Sequence, residues 1–361
     1  MPGKRRRLPP WGNFDLKILT FIIPAYNSQA YLDKCVSSML VPELMDRLDI
    51  LIVNDGSTDE TARIAEKYCA QYPDSIRLIT QENRGHGGAL NTGCAAAAGK
   101  YLKVIDADDW VETENLPAFL GLLENCDSDV VLTHYHTIDV ATGEIRNWCS
   151  SPQCFGESYP FGQIMANWRS FDQCLTFHGI AYHTAFYQRY GHPLPEHVFY
   201  EDHFFATYPC CYARSITPCD LFLYDYRVGD VNQSVSQANQ LKRIGHIETV
   251  LDQMIQIYCS LACAEDGKGY AAMKIQGLLL SYLTTALLVE RDKKSGRQMA
   301  AKRMEELRTE VPDVYKTAVR KYQVFLMMNR LHMTKEVWEK ILRSKAYSVF
   351  WRKHGFRKET V

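Results

Sequence analysis

The chain has almost no net charge: 41 Lys and Arg stand against 42 Asp and Glu, a formal balance of -1 over 361 residues. That absence excludes a global field for nucleic acid or any other polyanion, so an electrostatic function has to be local. There is no Cys-x-x-Cys pair either. The 12 cysteines are scattered between Cys35 and Cys263, which removes zinc-ribbon and dithiol readings and leaves small buried thiols in a reducing compartment as the expectation. A membrane-length apolar run is also missing. The most apolar helical stretch, Ile275 to Val289, is short and contains Gln276, Ser281, Thr284 and Thr285, so no transmembrane segment is expected. The first residues carry Lys4-Arg5-Arg6-Arg7 and Leu8-Pro9-Pro10 where a signal peptide would need an apolar core, and residues 1–16 read as a flexible basic tail. Internal repeats and low-complexity segments are absent too. What is present is an ordinary globular composition, 46% hydrophobic and 23% charged, in a chain long enough for a large domain and a smaller one.

Buried parallel strands are the first pattern to emerge. Ile18 to Ile23 is a β-rich run ended by Pro24, and Ile50 to Val53 is another, ended by Asn54-Asp55-Gly56. Between them Asn27 or Ser28 can cap a helix running to about Leu40. Ser57-Thr58-Asp59-Glu60 has capping-box spacing and opens a helix through Ala70. A third strand, Ile76 to Thr80, leads to the Gly-rich Asn83-Arg84-Gly85-His86-Gly87-Gly88, then a small-residue helix through Ala98 and a strand from Tyr101 to Ile105. This alternation is the signature of a parallel α/β sheet with right-handed crossovers. Asp129 to His136 is a further strand, and Pro193 to Asp202 is a loop leading into a helix. From about Ser236 the pattern is wholly helical, with apolar positions three and four apart in Leu241 to Cys259, Ala272 to Val289 and Val314 to Met328. The expected division is therefore 1–16 tail, 17–235 α/β catalytic domain and 236–361 helical domain.

Ligands of open parallel sheets bind outside the carboxyl ends of the strands, where loops diverge and helix N-termini present free amides. Three polar clusters fall at such ends: Pro24-Ala25-Tyr26-Asn27, Asn54-Asp55-Gly56-Ser57 and Asp106-Ala107-Asp108-Asp109. Three carboxylates within four residues repel one another, and a bound cation is a good physical reason for the cluster. Magnesium or manganese is implied; capping of the next helix is the competing explanation.

The order and spacing of these pieces resemble the family 2 nucleotide-diphospho-sugar glycosyltransferases, which have the GT-A fold. The matching segments are Phe21 to Asn27, Val53 to Asp59, Asn83 to Gly93, Ile105 to Trp110 and Tyr200-Glu201-Asp202-His203, covering roughly residues 17 to 235. The resemblance implies an inverting glycosyltransferase that moves a sugar from a nucleotide-diphosphate donor, UDP by family habit, to an acceptor. It implies that Pro24, Ala25, Tyr26 and Asn27 line the nucleotide and that Asp55 hydrogen-bonds the base or ribose. Asp106 to Asp108 looks like the family's DxD motif, with Asp108 on Mn2+ or Mg2+ and Asp106 on the ribose or the metal shell; Asp109 could share either role. Arg84 resembles a position near the diphosphate. Asp202 is the candidate general base for the acceptor hydroxyl, with Glu201 orienting a neighbour. Leu223 to Arg227 and Gln233 to Ser236 resemble the segment that closes over the nucleotide, which would put Arg227 and Ser234 on the diphosphate.

Other features receive plainer readings. The five histidines between His178 and His203 match no ligand spacing and read as surface or loop residues, although one of them, such as His203, could complete a metal shell. Residues 335–361 hold eight Lys or Arg and three Glu among Trp338, Tyr347, Phe350, Trp351 and Phe356. That mix fits either a solvated helix or contact with an anionic membrane surface, and the latter would suit a lipid-linked, envelope-glycan or polyol-phosphate acceptor at the inner face of the cytoplasmic membrane. No nucleic-acid partner is implied, and the oligomeric state is open. Competing readings are a nucleotidyltransferase, whose basic Gly-rich first loop is missing here, and a catalytically silent sugar-nucleotide or glycan-binding module.

Overall fold

The computed structural model describes residues 17–229 and 241–343. They divide into two compact units, 17–197 with 204–229 and 198–203 with 241–343.

In the first unit, β1 (Leu19–Ala25), β2 (Leu48–Asp55), β3 (Ile76–Gln81) and β4 (Tyr101–Val104) pair in parallel in the order β3-β2-β1-β4. They are joined through α1 (Leu32–Ser37), α2 (Thr61–Gln71) and α3 (Gly85–Ala96). Every residue of β1, β2 and β4 is buried, which explains why their sequences run apolar without alternating. The chain goes on through β5 (Trp110–Val111), α4 (Leu116–Asn125), β6 (Val130–Asp139), β7 (Ile145–Trp148), β8 (Tyr159–Pro160), α5 (Phe161–Ala166), β9 (Ile180–His183), α6 (Thr184–Tyr190), α7 (Asp202–Thr207) and β10 (Ser215–Val228). The sheet extends β4-β9-β6-β10-β5, with β7 on β6 and β8 on β10. Among the described residues of this half only β6 and β10 run parallel, so the sheet is mixed. Phe21, Ile23, Val36, Ile50, Phe119 and Leu120 sit in one apolar core, each stabilising the fold by about 1.5–3 kcal/mol relative to exposure.

Local details depart from the sequence reading. Pro24 does not end β1; it lies within it, opposite Val53. The β4 ladder reaches only Ile22 opposite Val104, so the missing Pro24 amide interrupts no bond on that side. The helix after β1 begins at Leu32 rather than at Asn27 or Ser28, and stops at Ser37. Both candidate caps are engaged elsewhere: Ser28 Oγ donates to the Tyr26 carbonyl (3.2 Å) while its amide donates to Thr61 Oγ1 (2.7 Å), and Asn27 Oδ1 accepts from the Thr58 amide (2.9 Å). At α2, Asp59 Oδ1 receives the Thr61 amide (2.9 Å), and Glu60 makes no reciprocal cap bond. All 12 cysteines are free thiols.

The second unit is helical: α8 (Ile244–Ser260), α9 (Glu265–Thr284), α10 (Lys293–Glu310), α11 (Pro312–Arg330) and α12 (Lys335–Arg343). α9 runs on through a π-helical turn, Thr285–Val289. The continuous helix Glu265–Val289 is thus longer than the sequence reading allowed, and it is long and apolar enough to cross a membrane, with a mean hydropathy of 1.4 in its most apolar window. Half of that window is buried inside the protein, and Leu278, Leu279, Leu283 and Leu287 are core residues, which accounts for its apolarity. At this helix end the buried Asn329 side chain of α11 donates to the Leu287 carbonyl (2.7 Å) while Arg297 holds the Asn329 oxygen (2.7 Å). Asp292 caps α10 through the Lys294 and Ser295 amides. Trp338 of α12 packs edge-on against Phe325 of α11, so this aromatic residue of the basic C-terminal segment is occupied within the bundle. Residues 344–361 of that segment lie outside the described residues.

Candidate active site

The loops after β1, β2 and β3 are zipped together by short side chains. The Asn27 amide donates to Ser57 Oγ (3.0 Å), and the Gln29 amide donates to Asp59 Oδ2 (3.1 Å). Asn27 holds φ 48°, a left-handed conformation that asparagine tolerates better than most residues. Tyr26 stands 53% exposed beside this hinge, whereas Pro24 and Ala25 are buried at the strand end. Asp55, 2% exposed, anchors the third loop: its Oδ1 accepts from Gln81 Nε2 (2.7 Å) and from the Arg84 amide (2.9 Å), and its carbonyl accepts from Asn83 Nδ2 (3.0 Å). Gly56 (φ 72°) is required at this crossing, because a Cβ there would lie 2.9 Å from the Asn83 nitrogen. The Arg84 guanidinium forms a two-pronged pair with Glu196, which raises its pKa.

Beyond β4, the acidic segment sorts into different environments. His86, in the first turn of α3, meets Asp106 Oδ1 through Nε2 at 2.9 Å. Burial works to raise the Asp106 pKa, but His86 and His178 outweigh it and hold the carboxyl below its ordinary value. Asp108, half-buried, is pushed up by burial and by the Asp106 charge. Asp109, 1% exposed, is occupied by β10: Tyr224 Oη donates to Oδ2 (2.5 Å), and the Arg227 amide donates to Oδ1 (2.7 Å). Burial and the two neighbouring aspartates drive the Asp109 pKa far up. It fastens the acidic loop to β10, so the shared nucleotide or metal role left open for it does not fit. The Arg227 guanidinium lies over the Tyr31 ring, 4.7 Å from its centroid, and its charge is felt at Asp108.

His178, read from sequence as a surface or loop residue, is half-buried among aromatic rings, stacked on Tyr226 (4.3 Å) and edge-on to Tyr224 (5.0 Å). No linear spacing could have paired it with Asp106, since β9 and β4 bring the two together from positions far apart in the chain. Beneath it Lys103, fully buried, donates to the His178 carbonyl (2.7 Å) and the Ile180 carbonyl (3.3 Å). Burial pushes the Lys103 pKa down to about 7. Between that value and the ordinary lysine range the unfolded chain holds a proton that the folded chain has released, so this group's contribution to stability rises with pH through that window. Chemical denaturation from about pH 7 to about pH 9 is expected to show a rising unfolding free energy for the native chain relative to Lys103→Met; parallel pH curves for the two proteins would refute it.

The structure therefore gathers Asn27, Asp55, Arg84, Asp106, Asp108 and Arg227 at the carboxyl ends of the strands in the first unit. Glu201 and Asp202 belong to the second unit. There Glu201 is buried, Asp202 is half-buried as the first residue of α7, and Tyr200 just before them takes φ 73°. Burial depresses the pKa of His203, which lies beside Asp202, Lys274 and Glu201. Ser234 lies outside the described residues.

Residues 20–191 match the model of glycosyl transferase family 2. The putative glycosyltransferase EpsH of Bacillus subtilis is 29% identical over 215 residues, which are 58% of this chain and 60% of EpsH. The chondroitin synthase of Escherichia coli is 39% identical over 155 residues, 43% of this chain and 22% of the synthase. The chain thus spans less than two thirds of these relatives. The structure of S. aureus TarS 1–349 superposes with a TM-score of 0.58 at 18% identity, covering 86% of this chain and 88% of that one; the same protein in complex with UDP-GlcNAc gives 0.58 at 19%. Its likeness extends over the helical region and shows the fold. By the matched segment, just under half of its length, the chain carries a region of glycosyl transferase family 2, and by its mixed α/β sheet with appended helices it has the GT-A fold.

Proposed function

We propose that this chain transfers a sugar, with inversion, from a UDP-linked donor to a glycan, lipid-linked or polyol-phosphate acceptor, in the cytoplasm at the inner face of the membrane. The observation that carries the reading is the placement of Asp106 and Asp108 at the end of β4, beside His86, His178 and Arg227. TarS bound to UDP-GlcNAc supports a UDP-linked donor, and the E. coli chondroitin synthase supports a glycan acceptor.

Carboxylates and imidazoles in one half-buried cluster make an oxygen and nitrogen donor set that fits Mn2+ or Mg2+. Asp108 and Asp106 would hold the ion, which supplies Lewis-acid neutralisation of the charge that builds on the leaving diphosphate. Arg227 adds a planar guanidinium to the diphosphate. The 24–27 loop and the buried Asp55 shape the nucleotide pocket, with Arg84 at its rim. Asp202 takes the acceptor's proton as the acceptor oxygen bonds the anomeric carbon and the bond to the phosphate oxygen breaks. Glu201 orients the loop that presents it. The basic segment 335–361 gives peripheral contact with anionic lipid.

The test is thermal unfolding with a panel of nucleoside diphosphates and nucleotide sugars, each with and without Mn2+. A ligand that binds only the folded state adds about 2.7 kcal/mol at a hundredfold excess over its Kd. UDP with Mn2+ is expected to raise the midpoint more than UDP alone and more than other nucleotides. A chain indifferent to every nucleotide would sink the donor-site reading.

A further inference from the structure

The strand that closes the site has a second face. Side chains alternate along β10, so while Tyr224 reaches Asp109 on one side, Asp225 points to the other. There Asp225, paired in register with His136 of β6, brings a carboxylate oxygen within 4.8 Å of an imidazole nitrogen of His136 and a carboxylate oxygen of Glu112, at the end of β5. Asp225 is 4% exposed, and its Oδ1 is buried without a hydrogen-bond partner among the described residues. A buried carboxylate oxygen left unsatisfied costs free energy unless something positive meets it.

The surrounding groups hold two of the three, His136 and Asp225, in place. His136 Nδ1 lies 3.0 Å from Asn147 Oδ1; the amide oxygen can only accept, so Nδ1 carries the proton and the lone pair is on Nε2. Phe222 lies flat against the imidazole, with centroids 4.1 Å apart and planes at 3°, which fixes the ring's direction. The Trp110 side chain hydrogen-bonds Asp225. Burial, then the Glu112 charge, lift the Asp225 pKa to about 6, the response of a carboxylate short of positive charge. The neighbouring cation Lys34 stands over the Trp110 ring, 2.9 Å from its centroid, and offsets part of that deficit.

The geometry points to a divalent transition-metal site formed by Glu112, His136 and Asp225, on the face of β10 opposite Tyr224. One imidazole and two carboxylates suit zinc, cobalt or manganese, with open positions for water. The ion would tie β5, which directly follows Asp106 to Asp109, to β6 and β10, and so brace the loop on which the donor site rests. This site is independent of the proposed transfer reaction and needs no nucleotide.

Cobalt is the probe, because thiolate ligation by any of the free cysteines would announce itself as an intense near-ultraviolet charge-transfer band, whereas nitrogen and oxygen ligands give only weak visible bands. The full chain, stripped with chelator and titrated with Co2+ without nucleotide, is expected to take up a single tight ion with visible bands alone, displaced by Zn2+. Glu112→Gln and His136→Asn should each weaken binding by at least about tenfold, with the fold intact by circular dichroism, whereas Asp108→Asn should leave it unchanged. No tight uptake, a thiolate band, or a loss caused by Asp108→Asn and not by the other two would overturn the assignment. The half-buried Glu112 gives a variant that folds even where the His136 one does not.

Discussion

Exchanging Asp202 for asparagine is expected to lower turnover by about two to four orders of magnitude, the usual worth of a general base, while leaving donor affinity nearly intact. Asparagine keeps the size of the side chain and an acceptor oxygen suited to a helix start, so α7 and its approach should survive. What it cannot do is accept the acceptor's proton. The split between turnover and binding is therefore the informative quantity: kcat should fall, while the stabilisation of the chain by UDP and Mn2+ should stay as in the native protein. Glu201, buried at 4% exposure, sits beside Asp202 without solvent access of its own. A chain with Asp202→Asn and undiminished turnover would move the base elsewhere. A chain that also lost donor affinity would place Asp202 in the donor pocket rather than opposite it.

How much of this could be read from residues alone follows from which interactions are local. β1, β2 and β4 are buried on both faces, so each announces itself as an apolar run ended by polar residues, and the clusters at their carboxyl ends are legible for the same reason. The helix α10 is different. Its sequence from Lys293 to Glu310 is strongly polar, with Ala300, Met304 and Leu307 as its buried apolar positions, and the periodic signal is too thin to stand out. α1 was overextended because its candidate caps, Asn27 and Ser28, bond across to the 57–61 loop, a long-range choice that no capping rule contains. The site divides in the same way. A DxD-like spacing is visible in a line of text, but whether a third aspartate joins it depends on Tyr224, more than a hundred residues away. His178 reaches Asp106 only because the sheet is mixed and β9 runs back beside β4.

That distinction between aspartates can be put to the test, and it carries the second large effect. Asp108→Asn is expected to remove the Mn2+-dependent part of the UDP stabilisation and to cost several kcal/mol of transition-state stabilisation, at least about a hundredfold in kcat. The fold should be untouched or slightly more stable, since burial and the Asp106 charge already penalise the Asp108 carboxylate. Asp109→Asn should behave in the opposite way. The two donors, Tyr224 Oη and the Arg227 amide, meet different oxygens of Asp109, and asparagine turns an NH2 toward one of them; one buried donor left unpaired costs about 1–3 kcal/mol, so the unfolding midpoint should drop while the response to Mn2+ persists in the folded fraction. Crossing the two variants with two readouts, stability and metal dependence, separates a ligand from a fastener. If both substitutions abolished the metal response and neither lowered stability, Asp109 would be a ligand and its bonds to β10 would have to break when the donor binds.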